Sequence, residues 1–278
     1  LYLKDKTILI TGASRGLGKA VAQSLWDQGA NLYLVSRTPF YSDKFRNHPV
    51  HPAQRYHWKS FDLSDPKEVE DIYHSFSTQF FGGSLYALIN NAGIQAPIEK
   101  AWNLSHEDLV KNMQVNFFAP VQLCKMFLHL LGSYSGGRII NLSGGGATSS
   151  RPNFSAYACA KTALVRYTEI LSDELDEKNI KNVFVNAVAP GAMATKMMQE
   201  ILDNPNKSGD EEYKTAKKIE HNKNTMEDAV SLINWLLSEE SNGITGRLIS
   251  AKWDNWEKSL KKPYVSDEYF KLRRVVTS

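Results

Sequence analysis

"TILITGASRGLGKAVAQSLWDQGANLYLVS", residues 7–36, decides the fold. "TILIT" (7–11) and "NLYLVS" (31–36) are short apolar runs that read as strands. Between them, "LGKAVAQSLWDQG" (17–29) reads as a helix closed by Gly29. A strand, a helix and a second strand within thirty residues or so make a βαβ unit, which implies a parallel pair. The joint between strand and helix is "TGASRGLG" (11–18). Glycines at 12, 16 and 18 let the backbone turn tightly and approach a ligand with no Cβ in the way. The N–H groups that open the helix then face an anion, and a pyrophosphate suits them. A glycine triplet alone is weak; its place between strand and helix is what carries the reading.

The pattern repeats outward. A third strand lies within "RYHWKSFDLS" (55–64), followed by a helix over 66–80. "LYALIN" (85–90), "GRIINLS" (137–143), "VFVNAVAP" (183–190) and "GRLISA" (246–251) read as further strands. Helical stretches fall at 105–131, 155–178, a polar region at 196–222, and 226–238. Strands alternating with helices give α/β architecture, a doubly wound parallel sheet of about seven strands with helices on both faces. The loop "RTPFYSDKFRNHPVHPAQ" (37–54) is too short for a domain boundary, so 1–278 reads as one domain with a C-terminal extension at 252–278. His48 and His51 in that loop lack a third ligand, so we expect no metal site there.

The chain has 278 residues, 33 basic and 30 acidic, a formal net charge of +3. That balance, with no dense basic cluster in the body of the chain, argues against nucleic acid as a partner. No stretch approaches the roughly 20 apolar residues of a membrane span. Cys124 and Cys159 sit in no ligand spacing and read as reduced thiols. With too short an apolar run at the start for a signal peptide, the expectation is a cytoplasmic protein.

"NLSGGGATSSRPNFSAYACAK" (141–161) carries the chemistry. Tyr157 and Lys161 are four apart on one helix and share a face. A phenol titrates near pH ~10, and an adjacent ammonium stabilises the phenolate. So tuned, the phenol can exchange a proton with a carbonyl or alcohol oxygen. The second strand ends in Ser36-Arg37, where an acid usually marks an unphosphorylated ribose. With Arg15 in the glycine loop, Arg37 points to a 2′-phosphate, and so to NADP(H) over NAD(H).

These motifs together resemble the short-chain dehydrogenase/reductase family: TGASRGLG (11–18), Asp62-Leu63, NNAG (90–93), Asn116 in "QVNFFAP", Y-ACA-K (157–161) and "PGAMAT" (190–195), in the family's order and covering the chain to about residue 250. The resemblance implies a Rossmann-like fold and an oxidoreductase acting on a small carbonyl or alcohol, as a homodimer or homotetramer. It implies that Gly12, Ser14, Arg15, Gly16, Leu17 and Gly18 hold the cofactor phosphates. Asp62 and Leu63 border the adenine, and Asn90 with the backbone of Ala92 and Gly93 lines the adenosine ribose side and stabilises the central sheet. Pro190, Gly191, Met193 and Thr195 border the nicotinamide. Tyr157 is the general acid/base, Lys161 binds the ribose and tunes it, and Asn116 kinks its helix to hold a proton-relay water. The polar region at 196–222 falls where the family carries its substrate lid, with Met197 and Met198 over the substrate.

Two departures stand out. The family places a serine about thirteen residues before the tyrosine, and here that residue is Gly144. Ser143, one position early, should face away. Three readings stay open: a neighbouring hydroxyl (Ser143 on a bulge, or Thr148) substitutes, the substrate supplies the group, or the protein is a catalytically impaired cofactor-binding sensor or structural relative. Losing one donor to a developing oxyanion costs about 10²–10³ in rate, not all activity, which favours an enzyme. The glycines should clear room for a bulky substrate. The second departure is the tail. Residues 252–278 hold seven basic and four acidic residues, with Trp253 and Trp256. Packing on a neighbouring subunit is the favoured reading; stacking on a phosphorylated or nucleotide-linked sugar is the other.

Overall fold

Thr7–Thr11 forms β1, buried at every residue, as a strand with an apolar centre is when both faces of a parallel sheet are covered. The computed structural model describes residues 1–79, 84–132, 136–220, 226–260 and 269–273. The other strands are β2 (Asn31–Val35), β3 (Tyr56–Lys59), β4 (Ala87–Asn90), β5 (Gly137–Leu142), β6 (Val183–Ala189) and β7 (Arg247–Ser250). The helices are α1 (Gly16–Asp27), α2 (Asp43–Asn47), α3 (Pro66–Gln79), α4 (His106–Met113), α5 (Ala119–Phe127) and α6 (Ser155–Glu177). They continue with α7 (Lys196–Leu202), α8 (Pro205–Ser208), α9 (Asp210–Glu220), α10 (Glu227–Leu236) and α11 (Trp256–Ser259).

All seven strands are parallel, in the order β3-β2-β1-β4-β5-β6-β7. Ile8 and Ile10 face α1 and α10, while Leu9 faces α3 and α5, the two-residue alternation of a strand buried on both sides. From β1 the chain winds outward through β2 and β3, then returns to β4 and winds the other way. This reversal leaves a crevice at the carboxyl ends of β1 and β4, where ligands of such sheets bind. Among the described residues, no helix is long and apolar enough to cross a membrane.

Three local features refine the expectation. The 37–54 loop contains α2, whose Phe45 stacks on Trp26 with ring centroids 4.5 Å apart, with Phe40 and Tyr56 completing the cluster. The aromatics occur singly in a polar run, so no periodicity announces them. In the same loop the His48 carbonyl accepts from Trp26 Nε1, and His51 Nε2 lies 3.0 Å from the Gly29 carbonyl. Both histidines thus clip the loop to α1, and no group of metal-binding residues occurs among those described. The helical stretch 105–131 is broken by one π turn, Gln114–Phe118, which contains Asn116, where a kink was expected. In the tail, Trp256 is buried against Trp235 (centroids 5.3 Å apart) while Trp253 is 78% exposed. The segment 269–273 is tied to β7 by Leu248 N–H donating to the Phe270 carbonyl. Lys261, Lys262, Asp267, Glu268 and Arg274, part of the tail's basic balance, lie outside the described residues, as do 221–222 of the polar region and Phe80.

Candidate active site

The glycine loop closes on the strand beside it. Gly12 has φ +68°, and a Cβ there would stand 2.8 Å from Ala92 Cα; a Cβ at Gly18 would stand 2.3 Å from the Gly12 carbonyl oxygen. Only hydrogen fits at either place. Asn91, not singled out in the sequence, holds the arrangement: its Nδ2 donates to the carbonyls of Thr11 and Gly12 at 2.9 and 3.2 Å, while Thr11 Oγ1 accepts from Ala92 N–H at 3.1 Å. The α1 N-terminus has no side-chain cap and no acid in its first turn. Its leading N–H groups are left for a ligand, and the helix dipole favours an anion.

This loop opens on a cavity of about 1400 Å³, larger than the roughly 300–1,000 Å³ of a site for one drug-sized ligand. The volume suits a dinucleotide and a substrate together. Gly12, Ser14, Arg15, Gly16, Leu17, Gly18, Arg37, Asp62, Leu63, Ala92 and Gly93 line it, as do Ser143, Tyr157, Lys161, Pro190, Gly191, Met193 and Thr195. Two expected residues do not. Asn90, 1% exposed, turns its Nδ2 to Asn141 Oδ1 at 2.9 Å and to Cys124, so it braces β4 against β5, the sheet-stabilising part of its expected role. Asn116 is buried in the π turn, where its Nδ2 donates to the Ile94 carbonyl and Asn112 Oδ1, both at 2.7 Å, and its Oδ1 accepts from Ile94 N–H. It fixes the loop after β4 from behind.

At the end of β2 the Arg37 guanidinium lies 3.6 Å from Asp62, both well exposed, so solvent screens the pair and it stabilises little. Burial pushes the Asp62 carboxyl up, but hydrogen bonds from Ser64 N and Oγ and the nearby Arg37 outweigh it and hold it below the usual range. Thr38 joins this end of the cavity, its Oγ1 2.8 Å from Ser14 Oγ.

Tyr157 and Lys161 meet at the far end, in the first two turns of α6. The Lys161 Nζ donates to the Leu142 carbonyl at 2.7 Å and lies 5.8 Å from the Tyr157 ring centroid. Burial dominates both groups. It raises the phenol above its ordinary value, opposed by the Arg151 guanidinium, and it lowers the ammonium to about 7. The expected tuning of Tyr157 by Lys161 is therefore not the leading influence here; the cation working against burial is Arg151, which the sequence did not single out.

The glycine run also differs from expectation. A Cβ at Gly144 would stand 2.1 Å from Tyr157 Oη. The space is filled by the phenol itself and is not cleared for substrate. Ser143 continues the β5–β6 pairing through its N–H to the Val188 carbonyl at 2.8 Å. Its Oγ is buried with no hydrogen-bond partner among the described residues, so it does not reach Tyr157. Thr148 is exposed on the cavity rim. Opposite Tyr157, α7 and α9 bring Met197, Met198, Ala216 and Ile219 to the cavity. This cover is tied down by Gln95 to the Met197 carbonyl, by Lys207–Glu99 at 2.9 Å, and by Arg151–Glu212.

Residues 6–206 match the short chain dehydrogenase family. The benzil reductase ((S)-benzoin forming) of Bacillus subtilis (strain 168) is 30% identical over 204 residues, 72% of this chain and 79% of that protein. The mouse (Mus musculus) estradiol 17-beta-dehydrogenase 2 is also 30% identical, over 226 residues; the match takes in 77% of this chain but only 57% of the longer mouse protein. Among solved structures, a short chain dehydrogenase of Escherichia coli CFT073 complexed with NADPH superposes with a TM-score of 0.72 at 25% identity, covering 90% of this chain and 98% of that one.

Proposed function

From the premise that the chain belongs to the short-chain dehydrogenase/reductase family, we propose that it is an NADP(H)-dependent oxidoreductase acting on a small carbonyl or alcohol substrate. The observation that carries the proposal is the meeting, in one cavity, of a glycine cradle at an uncapped helix start with the Tyr157–Lys161 pair. When bound, the nicotinamide supplies or accepts hydride at the substrate carbon. The residues do the rest. Gly12, Gly16 and Gly18 would hold the phosphates against the α1 N-terminus. Lys161, anchored on the Leu142 carbonyl, would hydrogen-bond the ribose. Tyr157 gives its proton to the carbonyl oxygen in reduction, or takes the alcohol's proton in oxidation. Met197 and Met198 exclude water above the reacting atoms.

A second reading, a cofactor-binding relative without turnover, draws on one observation: no hydroxyl accompanies Tyr157 Oη at position 144. Consumption of NADPH with any of a panel of aldehydes and ketones rejects it. Binding of NADPH with no turnover across that panel rejects the oxidoreductase proposal instead.

The preference for NADP(H) rests on Arg15 and Arg37 at the cavity, on Ser36-Arg37 at the end of β2 where no acid stands, and on the likeness to a relative solved with NADPH. A charge-assisted hydrogen bond contributes about 1.5–3 kcal/mol. Arg37→Asp should therefore cut the NADPH-to-NADH affinity ratio by roughly 10–100-fold, the added carboxylate also repelling the 2′-phosphate. Calorimetric titration of both cofactors reads the ratio, and an unchanged ratio defeats the assignment.

A further inference from the structure

The glycine run before Tyr157 seats two side chains. Gly144 makes room for the phenol. At Gly145 a Cβ would lie 3.8 Å from Arg151 Cδ, and at Gly146 it would lie 3.1 Å from Arg151 Cβ and 2.8 Å from Ala158 Cβ. Arg151 thus lies along the bare backbone. Its guanidinium carbon sits 3.9 Å from the centroid of the Phe154 ring and 5.6 Å from that of Tyr157. The side chain is only 13% exposed. Its Nε and Nη2 donate to Glu212 Oε1 and Oε2 at 2.8 and 2.9 Å. Two parallel bonds of this kind fix the plane of the guanidinium as well as its position. Glu212 belongs to α9, in the cover over the cavity.

Resting on the acid/base role proposed for Tyr157, we propose that Arg151 is a positioning residue that stabilises the Tyr157 phenolate in place of the hydroxyl missing at position 144, and that Glu212 sets how much of the Arg151 charge the phenol feels. Lys161 from α6 and Arg151 from the β5–α6 loop lie 5.8 and 5.6 Å from the Tyr157 ring centroid, with Glu212 of α9 behind Arg151, while Lys196 and Glu200 of α7 and Glu211 of α9 line the same cavity. Just past β5, Gly144 presents bare backbone to the phenol. Burial lowers Lys161 to about 7, which weakens it as the cation beside the phenol. The direction agrees: Arg151 is the group that opposes burial on the phenol. Docking of α9 thereby becomes part of the acid/base machinery. The Glu212 carboxylate, held on Arg151 by α9, partly neutralises the guanidinium that the phenol feels.

The test separates this from a mechanical latch. Arg151→Met and Glu212→Gln break the same ion pair. A latch predicts that the two variants behave alike. Electrostatic positioning predicts opposite signs: Arg151→Met raises the phenol pKa by about one unit or more, Glu212→Gln lowers it, and Arg151→Lys restores most of the wild-type value. The readout is difference absorbance of the phenolate against the matched Tyr157→Phe background in the resting protein, with the pH–rate profile beside it. Shifts of the same sign in both variants, or no shift in either, overturn the proposal. The titration needs no turnover, so it stays separate from the functional proposal, which fails on its own if Tyr157→Phe keeps full activity. Should Arg151→Met not fold, the downward shift in Glu212→Gln alone decides.

Discussion

Tyr157→Phe is expected to lower turnover by about 10³-fold, within the 10²–10⁴ that a positioned acid/base group contributes, and to leave NADPH affinity unchanged. The substitution removes one oxygen. The ring stays 7% exposed in the same packing on α6, and the glycine cradle lies at the other end of the cavity. Loss of turnover without loss of binding is thus the signature of a lost proton relay and not of a damaged fold. Steady-state kinetics beside a calorimetric titration reads both. Full activity in Tyr157→Phe would place the acid elsewhere in the cavity.

The second large effect concerns Gly144. A Cβ there would lie 2.1 Å from Tyr157 Oη, far inside any contact distance. Tyr157 cannot retreat as a whole, because α6 is anchored by buried Ala156, Ala160, Leu164 and Val165. The hydroxyl must swing out of position. A misplacement of about 1 Å near the chemistry costs on the order of 10²-fold, and overpacking costs about 1–3 kcal/mol of stability. Gly144→Ala should therefore reduce turnover about 10²-fold and lower the thermal midpoint modestly. Gly144→Ser should do the same, although it supplies the hydroxyl that the family's pattern has there. A rise in turnover in Gly144→Ser would show that Tyr157 moves aside freely and that the glycine is a simple loss.

Much of this was legible in the sequence because it depends on short-range rules. Gly12 and Gly18 are read from a strand–loop–helix joint, and the structure gives each a neighbour that would clash with a Cβ. The order of apolar runs implied a parallel sheet wound both ways, and the seven strands follow it. What the sequence hid depends on distant residues meeting. Arg151 and Glu212 are 61 positions apart, and neither lies in a motif. Phe40, Phe45 and Tyr56 form one cluster with Trp26 from four separate places in the chain. The glycine run invited the wrong occupant for the same reason: it announces room, but only the fold shows that Tyr157 and Arg151 fill it. Asn90, by contrast, braces β4 against β5, the sheet-stabilising part of the role that its motif implies.

The most direct measurement uses NADPH carrying deuterium at the transferable position of the nicotinamide, with the panel of aldehydes and ketones and mass analysis of the products. The account predicts an alcohol bearing the label on its carbinol carbon from the wild-type protein, and almost none from Tyr157→Phe at equal cofactor occupancy. NADPH bound but never consumed, or an alcohol formed without the label, would contradict it.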